Sequence, residues 1–326
     1  MMTSKERVYK AIKFKSPDRI PVAYDLPDRT MKLMGKELQN LMNEYPQDYI
    51  LIRKQSPYNW TPKALGEDEW GCVWEVLEDG FMGEVKEFPI KSIEDIDNYK
   101  IPNPLDLGWF DKASEIIEEN KDKYIFGDVG LTLFERMHLL CGLDKCLEYL
   151  MLYQDKMEEL ADKILEFQLN IIEQWRKFDI DGIYFTDDWG MQDKLIINPE
   201  LWRKVFKPRY KILFDEVHKN KKTVFFHSCG NIEILIPDFI ELGLDIISPV
   251  QAMNINNLSK YKGKICFAGG IDAQHILHSG STDDVVKHIK EVINCLNDKT
   301  GGYIALLINI MPNNPIENIK TVLKTV

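Results

Sequence analysis

The chain has 326 residues, 44% hydrophobic and 29% charged, which is typical of a globular protein and unlike a disordered or fibrous one. Its 41 basic and 52 acidic side chains give a formal net charge of −11, which argues against binding to nucleic acid or anionic membranes, since both need a basic surface. Six cysteines are too few for a disulfide scaffold, and neither a membrane span nor a signal peptide is visible, so we expect a cytoplasmic protein.

Along the chain, short apolar runs of strand length alternate with helical patterns. The predicted strands are Ile20–Tyr24, Tyr49–Ile52, Tyr124–Gly127, Gly182–Thr186, Thr223–His227, Ile246–Val250, Ile265–Ala268 and Tyr303–Ile308. The clearest helical patterns are Leu143–Phe178, Pro199–Asn220 with Asn198 as its N-cap, Ile232–Leu242 and Thr282–Asp298. Because strands that are apolar on both faces need helices on both sides, about eight such units favour a (β/α)8 barrel. A doubly wound sheet is the alternative, but no G-x-G-x-x-G follows a predicted strand.

One segment, residues 69–89, interrupts the alternation. Two short strand patterns flank the turn residues Asp79 and Gly80, which predicts a β-hairpin. We expect this hairpin to be an insertion in the N-terminal half, beside the barrel mouth. The whole chain, residues 1–326, is then predicted to be a single TIM-barrel domain.

Polar residues at the ends of predicted strands are the candidates for chemistry, because active sites of β/α barrels lie at the carboxyl ends of their strands. His227 and Cys229 stand two residues apart at one such end, so in an extended chain their side chains point the same way. Imidazole nitrogen and thiolate sulfur are ligands that Zn²⁺ prefers. A buried histidine beside a cysteine without a role is the alternative interpretation.

Acidic residues follow the preceding strand. Asp187 and Asp188 are adjacent, so one can face the barrel mouth as an acid, base or metal ligand while the other caps a helix. The alternative is that both are solvated loop carboxylates. Glu135, on a predicted helix, and Cys266, on a predicted strand, are weaker ligand candidates, because a salt bridge for Glu135 and simple burial for Cys266 account for them better.

At these motifs the sequence resembles the uroporphyrinogen decarboxylase superfamily, whose members share one β/α barrel fold. The resemblance runs nearly end to end and rests on these segments in order: Lys5–Val8, Pro17–Val22, Asp187–Gly190, Pro199–Trp202, Phe206–Tyr210, His227–Asn231, Gly269–Asp272 and Pro315–Ile319.

The resemblance implies one of two chemistries, cofactor-free decarboxylation of a tetrapyrrole or zinc-dependent methyl transfer involving corrinoid proteins. True decarboxylases carry several arginines after the first strand, whereas Ala23–Arg29 here is acidic and has one. Since buried carboxylates of a substrate need cationic partners, tetrapyrrole decarboxylation is disfavoured. The methyltransferase branch is the better match, because its zinc site uses a His-x-Cys at the position of His227 and Cys229.

This branch implies a third zinc ligand that the sequence does not fix. Thiol-methylating members supply a cysteine near the last strand, where this chain reads Leu306–Ile310. The third ligand is then a carboxylate, from Glu84, Glu135 or Asp188, or it is Cys266, or no metal binds. We place Glu84 first as the ligand and assign acid–base or orienting roles to Asp187 and Asp188.

The predicted function is transfer of a methyl group from a small methoxylated or methylated donor to the cobalt of a separate corrinoid protein, since the chain has no cobalt-ligating D-x-H-x-x-G motif. A homodimer is the expected assembly. A cofactor-free decarboxylase and a non-catalytic binding protein are the alternatives. The residues assigned to the donor pocket are Tyr184, Trp189, Gln251, Asp272 and Asn309, with Trp60 as a further aromatic wall.

Overall fold

Eight parallel strands form the central sheet of the computed structural model, which describes residues 2–53, 65–76, 83–106, 108–308 and 310–326, and only the backbone of Asp28, Leu65 and Asp106. The strands are β1 (Val22–Asp25), β2 (Tyr49–Ile52), β3 (Leu65–Glu67), β4 (Val73–Glu75), β5 (Glu84–Glu87), β6 (Tyr124–Leu131), β7 (Gly182–Thr186), β8 (Thr223–His227), β9 (Ile246–Ser248), β10 (Cys266–Ala268) and β11 (Tyr303–Ile308). The central sheet has the order β1-β11-β10-β9-β8-β7-β6-β2.

The two ends of this sheet meet, so the strands form a barrel. Asp48, which precedes β2, donates its backbone N–H to the Val22 carbonyl at 2.7 Å, and its carboxylate accepts the Val22 N–H at 2.8 Å. Arg7 and Arg19 both donate to this wholly buried carboxylate. The predicted (β/α)8 barrel is therefore confirmed.

Helices cover the barrel between successive strands. They are α1 (Ser4–Ile12), α2 (Asp28–Glu44), α3 (Asp95–Asn98), α4 (Ala113–Glu119), α5 (Leu133–Cys141), α6 (Leu143–Leu152), α7 (Gln154–Trp175), α8 (Pro199–Val205), α9 (Lys207–Lys219), α10 (Ile236–Glu241), α11 (Ile255–Leu258), α12 (Ile276–Ser279), α13 (Thr282–Leu296) and α14 (Ile316–Thr325). No helix in the described ranges has the length and apolar character needed to cross a lipid bilayer.

Local sequence explains where several of these elements begin and end. Asn198 caps α8 as predicted, since its side chain accepts the Glu200 N–H at 2.8 Å. The single helical pattern predicted over Leu143–Phe178 is two helices, because the backbone leaves the helical conformation at Tyr153. The strand predicted to reach Val250 ends at Ser248, before Pro249, which has no N–H to donate to a neighbouring strand.

The predicted hairpin is present and has one strand more than expected. β4 pairs antiparallel with β5, and β3 pairs with the other edge of β4. The turn residues Asp79 and Gly80 lie outside the described residues. Buried Trp70 and Trp74 tie this small sheet to the main core.

Alternate side chains of the barrel strands fill its interior, and their register positions the functional site. Apolar side chains occupy the lower interior; they include Ala23, Tyr49, Phe126, Tyr184, Phe225, Ile246, Cys266 and Ile304. On six of the eight strands the inward series continues to a polar residue toward the carboxyl end, namely Asp25, Arg53, Asp128, Thr186, His227 and Ser248, whereas on β10 and β11 it stays apolar with Ala268, Leu306 and Ile308. The barrel mouth therefore has a polar floor above an apolar core.

Candidate metal centre

The carboxyl ends of β7 and β8 bring two loops side by side. Thr186 pairs with His227 in the sheet. Asp188 and Cys229 each come two residues after this pair, so they reach the same height on neighbouring loops. The Cys229 N–H donates to Asp188 Oδ1 at 2.7 Å, and the Gly190 N–H donates to the Cys229 carbonyl at 3.1 Å. These bonds hold the two loops in contact.

Three side chains from these loops form a group suited to a metal ion. One potential ligand atom from each of Asp188, His227 and Cys229 lies within 4.8 Å of the other two. His227 Nε2 is 3.2 Å from Cys229 Sγ and 3.8 Å from Asp188 Oδ1. Oxygen, nitrogen and sulfur are the ligand types of zinc, and tetrahedral bonds of its usual length place ligand atoms about 3.4–3.7 Å apart. The three residues therefore fit Zn²⁺ in both chemistry and spacing.

Neighbouring groups orient these side chains. Ser248 Oγ lies 3.4 Å from His227 Nδ1, which leaves Nε2 directed at the group, as in protein zinc sites. Burial lowers the pKa of His227, so the imidazole is held in the neutral form that binds metals. Burial, reinforced by Asp188, raises the pKa of the Cys229 thiol, so without a cation the thiol stays protonated.

Close packing of two glycines fixes the distance between the loops. A Cβ atom on Gly190 would lie 2.5 Å from the Gly230 carbonyl carbon, and one on Gly230 would lie 2.0 Å from the Gly190 oxygen. Gly230 also has a left-handed backbone, with φ of 78°. Glycine is therefore required at both positions for Asp188 and Cys229 to approach each other.

Asp187 has a different environment from Asp188. It is wholly buried and accepts the N–H groups of Leu133, Phe134 and Glu135 at 3.0, 3.0 and 2.7 Å, which caps the N-terminus of α5. The Tyr210 hydroxyl donates to the same carboxylate. Because its oxygens accept these four hydrogen bonds, Asp187 lies behind the candidate metal group, where it supports the loop, and does not face the barrel mouth.

The other third-ligand candidates do not join the group. Glu84 lies on β5 with its side chain 66% exposed, and Lys86 donates to it at 2.8 Å. Cys266 and Phe225 both pair with Ile246, so Cys266 is at the level of Phe225 in the sheet. His227 lies two residues, or about 6.6 Å, further toward the barrel mouth. Glu135 is nearer, since Thr186 Oγ1 donates to it at 3.4 Å, and burial together with Asp188 raises its pKa well above the usual value.

Two of the residues assigned to the donor pocket, Tyr184 and Gln251, lie where they can contact a ligand. The Tyr184 ring points into the barrel, with its centroid 6.3 Å from that of His227. Gln251 follows β9, and its buried Oε1 has no hydrogen-bond partner among the residues described. These two remain candidates to contact a ligand. Asn309 and Trp60 lie outside the described residues.

Two of the pocket assignments are corrected by the structure. Trp189 is wholly buried, stacks on Phe134 and donates its Nε1–H to Tyr210, so it supports the wall from behind. Asp272 accepts the N–H groups of Gln274 and His275, which makes it the anchor of its own turn.

Three charged residues of the polar floor were not predicted as site residues. Arg53 donates two hydrogen bonds to Asp25, at 2.9 and 2.7 Å, and its guanidinium lies 5.9 Å from the Tyr184 ring centroid. Asp128 is 8% exposed, and its Oδ1 accepts the Gly130 N–H at 2.9 Å. The sequence signal for them is a charged residue near a strand end, at a position where the inward-facing side chains of that strand are otherwise apolar.

Comparison with known proteins places this geometry in context. Residues 69–326, well over half of the chain, match the family described as "Uroporphyrinogen decarboxylase (URO-D)". The chain is 21% identical to the methylcobamide:CoM methyltransferase MtbA of Methanosarcina mazei over 98% of this chain and 96% of that protein. It is 25% identical to a uroporphyrinogen decarboxylase of Hydrogenobaculum over 50% of this chain and 45% of that one. Among solved structures, a methyltransferase from Methanosarcina mazei superposes with a TM-score of 0.77 at 18% identity, covering 100% of this chain and 98% of the other.

Proposed function

The chain belongs to the uroporphyrinogen decarboxylase family, and we propose that within this family it is a zinc-dependent methyltransferase that moves a methyl group from a small donor to the cobalt of a separate corrinoid protein. The observation that carries the proposal is the group formed by Asp188, His227 and Cys229 at the barrel mouth. Three protein ligands at the mouth of a cleft are typical of catalytic rather than structural zinc sites.

Each residue of the proposed centre has its own role. Asp188, His227 and Cys229 would hold the metal, Ser248 would orient the imidazole, and Asp187 would fix the loop that carries Asp188. A bound zinc ion supplies a Lewis acid for the heteroatom that carries the methyl group. When the methyl group leaves, the heteroatom keeps the bonding electron pair and takes up a proton, and cobalt supplies the pair for the new bond. Tyr184 forms the apolar wall beside His227.

The corrinoid is proposed to belong to a partner protein. The sequence contains no D-x-H-x-x-G motif, and the relative that matches nearly full length is named for methylcobamide. A macromolecular partner requires an open approach to the metal centre, and Asp188, with 36% of its side chain exposed, lies on that open side.

Cofactor-free decarboxylation of a tetrapyrrole is the competing function, because a uroporphyrinogen decarboxylase matches half of the chain. The carboxylates of such a substrate would meet Asp25, Asp128 and Asp188, with Arg53 already bound to Asp25. Electrostatic repulsion therefore disfavours this substrate.

The test combines metal analysis with methyl transfer. Protein purified without chelators should contain about one zinc per chain and should methylate cob(I)alamin from methoxylated or methylthio donors. His227→Ala and Cys229→Ser should lose both zinc and activity, whereas Cys295→Ser, at a cysteine on α13, should keep both. Loss of zinc in Cys266→Ser would instead favour a different ligand set. Metal-free protein that releases carbon dioxide from uroporphyrinogen would overturn the proposal.

A further inference from the structure

The inward polar layer contains one carboxylate, that of Asp128, which forms no salt bridge with any described residue although Arg53 lies nearby. Arg53 directly follows β2, in the inward series of Tyr49 and Leu51, and forms a bidentate pair with Asp25 at the end of β1. Asp128 continues the inward series of Tyr124 and Phe126 on β6, and no salt bridge joins it to any residue in the described part of the chain. Two carboxylates therefore share one guanidinium, and Asp25 already holds it.

No side chain in the described part of the chain donates a hydrogen bond to the carboxylate of Asp128. Its Oδ1 accepts the Gly130 N–H at 2.9 Å, and the neighbouring Val129 N–H also stabilises the carboxylate. The side chain is 8% exposed, so water compensates little of its charge. Burial raises the pKa of Asp128 despite the nearby Arg53, which reflects the cost of a charge in this position. A bound cation or hydrogen-bond donor would remove that cost.

Distances within the site limit the size of such a ligand. The Arg53 guanidinium is 5.9 Å from the Tyr184 ring centroid, which is 6.3 Å from that of His227. The sum of these distances, 12.2 Å, is an upper limit on the separation of the guanidinium and the imidazole. Asp128 is level with Tyr184 on the adjacent strand, so it lies on the same stretch of wall, and a donor of one aromatic ring and a short arm is within this size limit.

We propose that Asp128 binds a protonated amine at the end of the methyl donor opposite its methyl group, so the preferred donor is a small cation and not a carboxylate. This assignment rests on the proposed function, because Asp188, His227 and Cys229 are then committed to the metal and Asp128 is left as the uncompensated charge. The Tyr184 ring, between Arg53 and His227, would contact the apolar middle of the donor.

Three probes with the same ring and methoxy group test the assignment: 3-methoxybenzylamine, 3-methoxytoluene and 3-methoxybenzoate. Their affinities for the zinc-loaded protein are measured by calorimetry or ligand-observed NMR, without cobalamin. The wild type should bind the amine at least about tenfold more tightly than the neutral probe, and the benzoate most weakly. Asp128→Asn should remove the preference for the amine while changing the affinity for 3-methoxytoluene less than about twofold. Glu173→Gln, which neutralises an exposed carboxylate on α7, is the matched control and should change nothing.

Each outcome decides the assignment. A wild type without preference for the amine overturns it, and this measurement does not depend on the variant folding. An Asp128→Asn variant that weakens all three probes equally also overturns it. If the amine preference and its loss in Asp128→Asn are observed but no probe donates its methyl group, the assignment of Asp128 stands and the proposed methyltransferase function fails.

Discussion

Replacing Asp187 by asparagine should destabilise the fold rather than remove a catalytic group. In the wild type, Oδ2 accepts two N–H groups of α5 and the Tyr210 hydroxyl, while Oδ1 accepts the Glu135 N–H. An asparagine oxygen can still accept the two N–H groups and the Tyr210 hydroxyl. Its amide nitrogen then faces the Glu135 N–H, so this buried donor loses its acceptor. A buried donor left without an acceptor costs about 1–3 kcal/mol. Burial raises the pKa of Asp187 to about 7, so at pH 8 the carboxylate is mostly ionised and loss of its charge at a helix N-terminus adds about 1 kcal/mol. We expect Asp187→Asn to lower the free energy of unfolding by about 3 kcal/mol.

Urea unfolding followed by circular dichroism measures this change directly. Tyr210→Phe, which removes one of the four donors, is the matched variant and should cost about 1–2 kcal/mol. Asp188→Asn should cost less than about 1 kcal/mol, because that side chain is partly exposed, yet it should lose zinc. If Asp187→Asn is as stable as the wild type while methyl transfer falls more than about a hundredfold, Asp187 is a catalytic residue and our assignment is wrong.

Two further predictions concern the loops and the pH dependence of stability. In a competition titration, Gly230→Ala should bind zinc at least about tenfold more weakly, because the new Cβ separates the ligand loops. The control Gly263→Ala, also at positive φ but with open space around it, should bind zinc normally. Burial, aided by Arg136, lowers the pKa of His138 from 6.5 to about 4, so below pH 6.5 the unfolded chain takes up a proton before the folded protein does. Between pH 7 and pH 5 the wild type should therefore lose about 2 kcal/mol more stability than His138→Gln; equal losses in urea titrations would contradict the shift.

The barrel could be predicted from sequence because its strands are apolar runs of the length that a buried parallel sheet requires. Tyr49–Ile52, Gly182–Thr186, Thr223–His227 and Tyr303–Ile308 are strands with the predicted bounds. Helix breaks were harder to predict, because Tyr153 interrupts an apolar periodicity that continues on both sides of it. That break depends on backbone geometry that the pattern of side chains does not encode.

The candidate site was only partly predictable, because it depends on which strand ends face each other. His227 and Cys229 stand out through their spacing, whereas Glu84, the predicted third ligand, lies on a hairpin whose position relative to the barrel the sequence does not give. The register that aligns Thr186 with His227 brings Asp188 to the group instead. Trp189 follows Asp188 and was predicted to line the pocket, yet Phe134 and Tyr210 hold it in the core. Only the packing of helices behind the loop decides that orientation.

The central claim, a zinc ion held by Asp188, His227 and Cys229, is tested most directly by zinc K-edge X-ray absorption of the purified protein. We predict one sulfur ligand at about 2.3 Å, with the remaining ligands nitrogen or oxygen at about 2.0–2.2 Å. In Cys229→Ser the sulfur contribution should vanish. Two sulfur ligands in the wild type, a sulfur ligand that persists in Cys229→Ser, or protein that binds no zinc would contradict the claim.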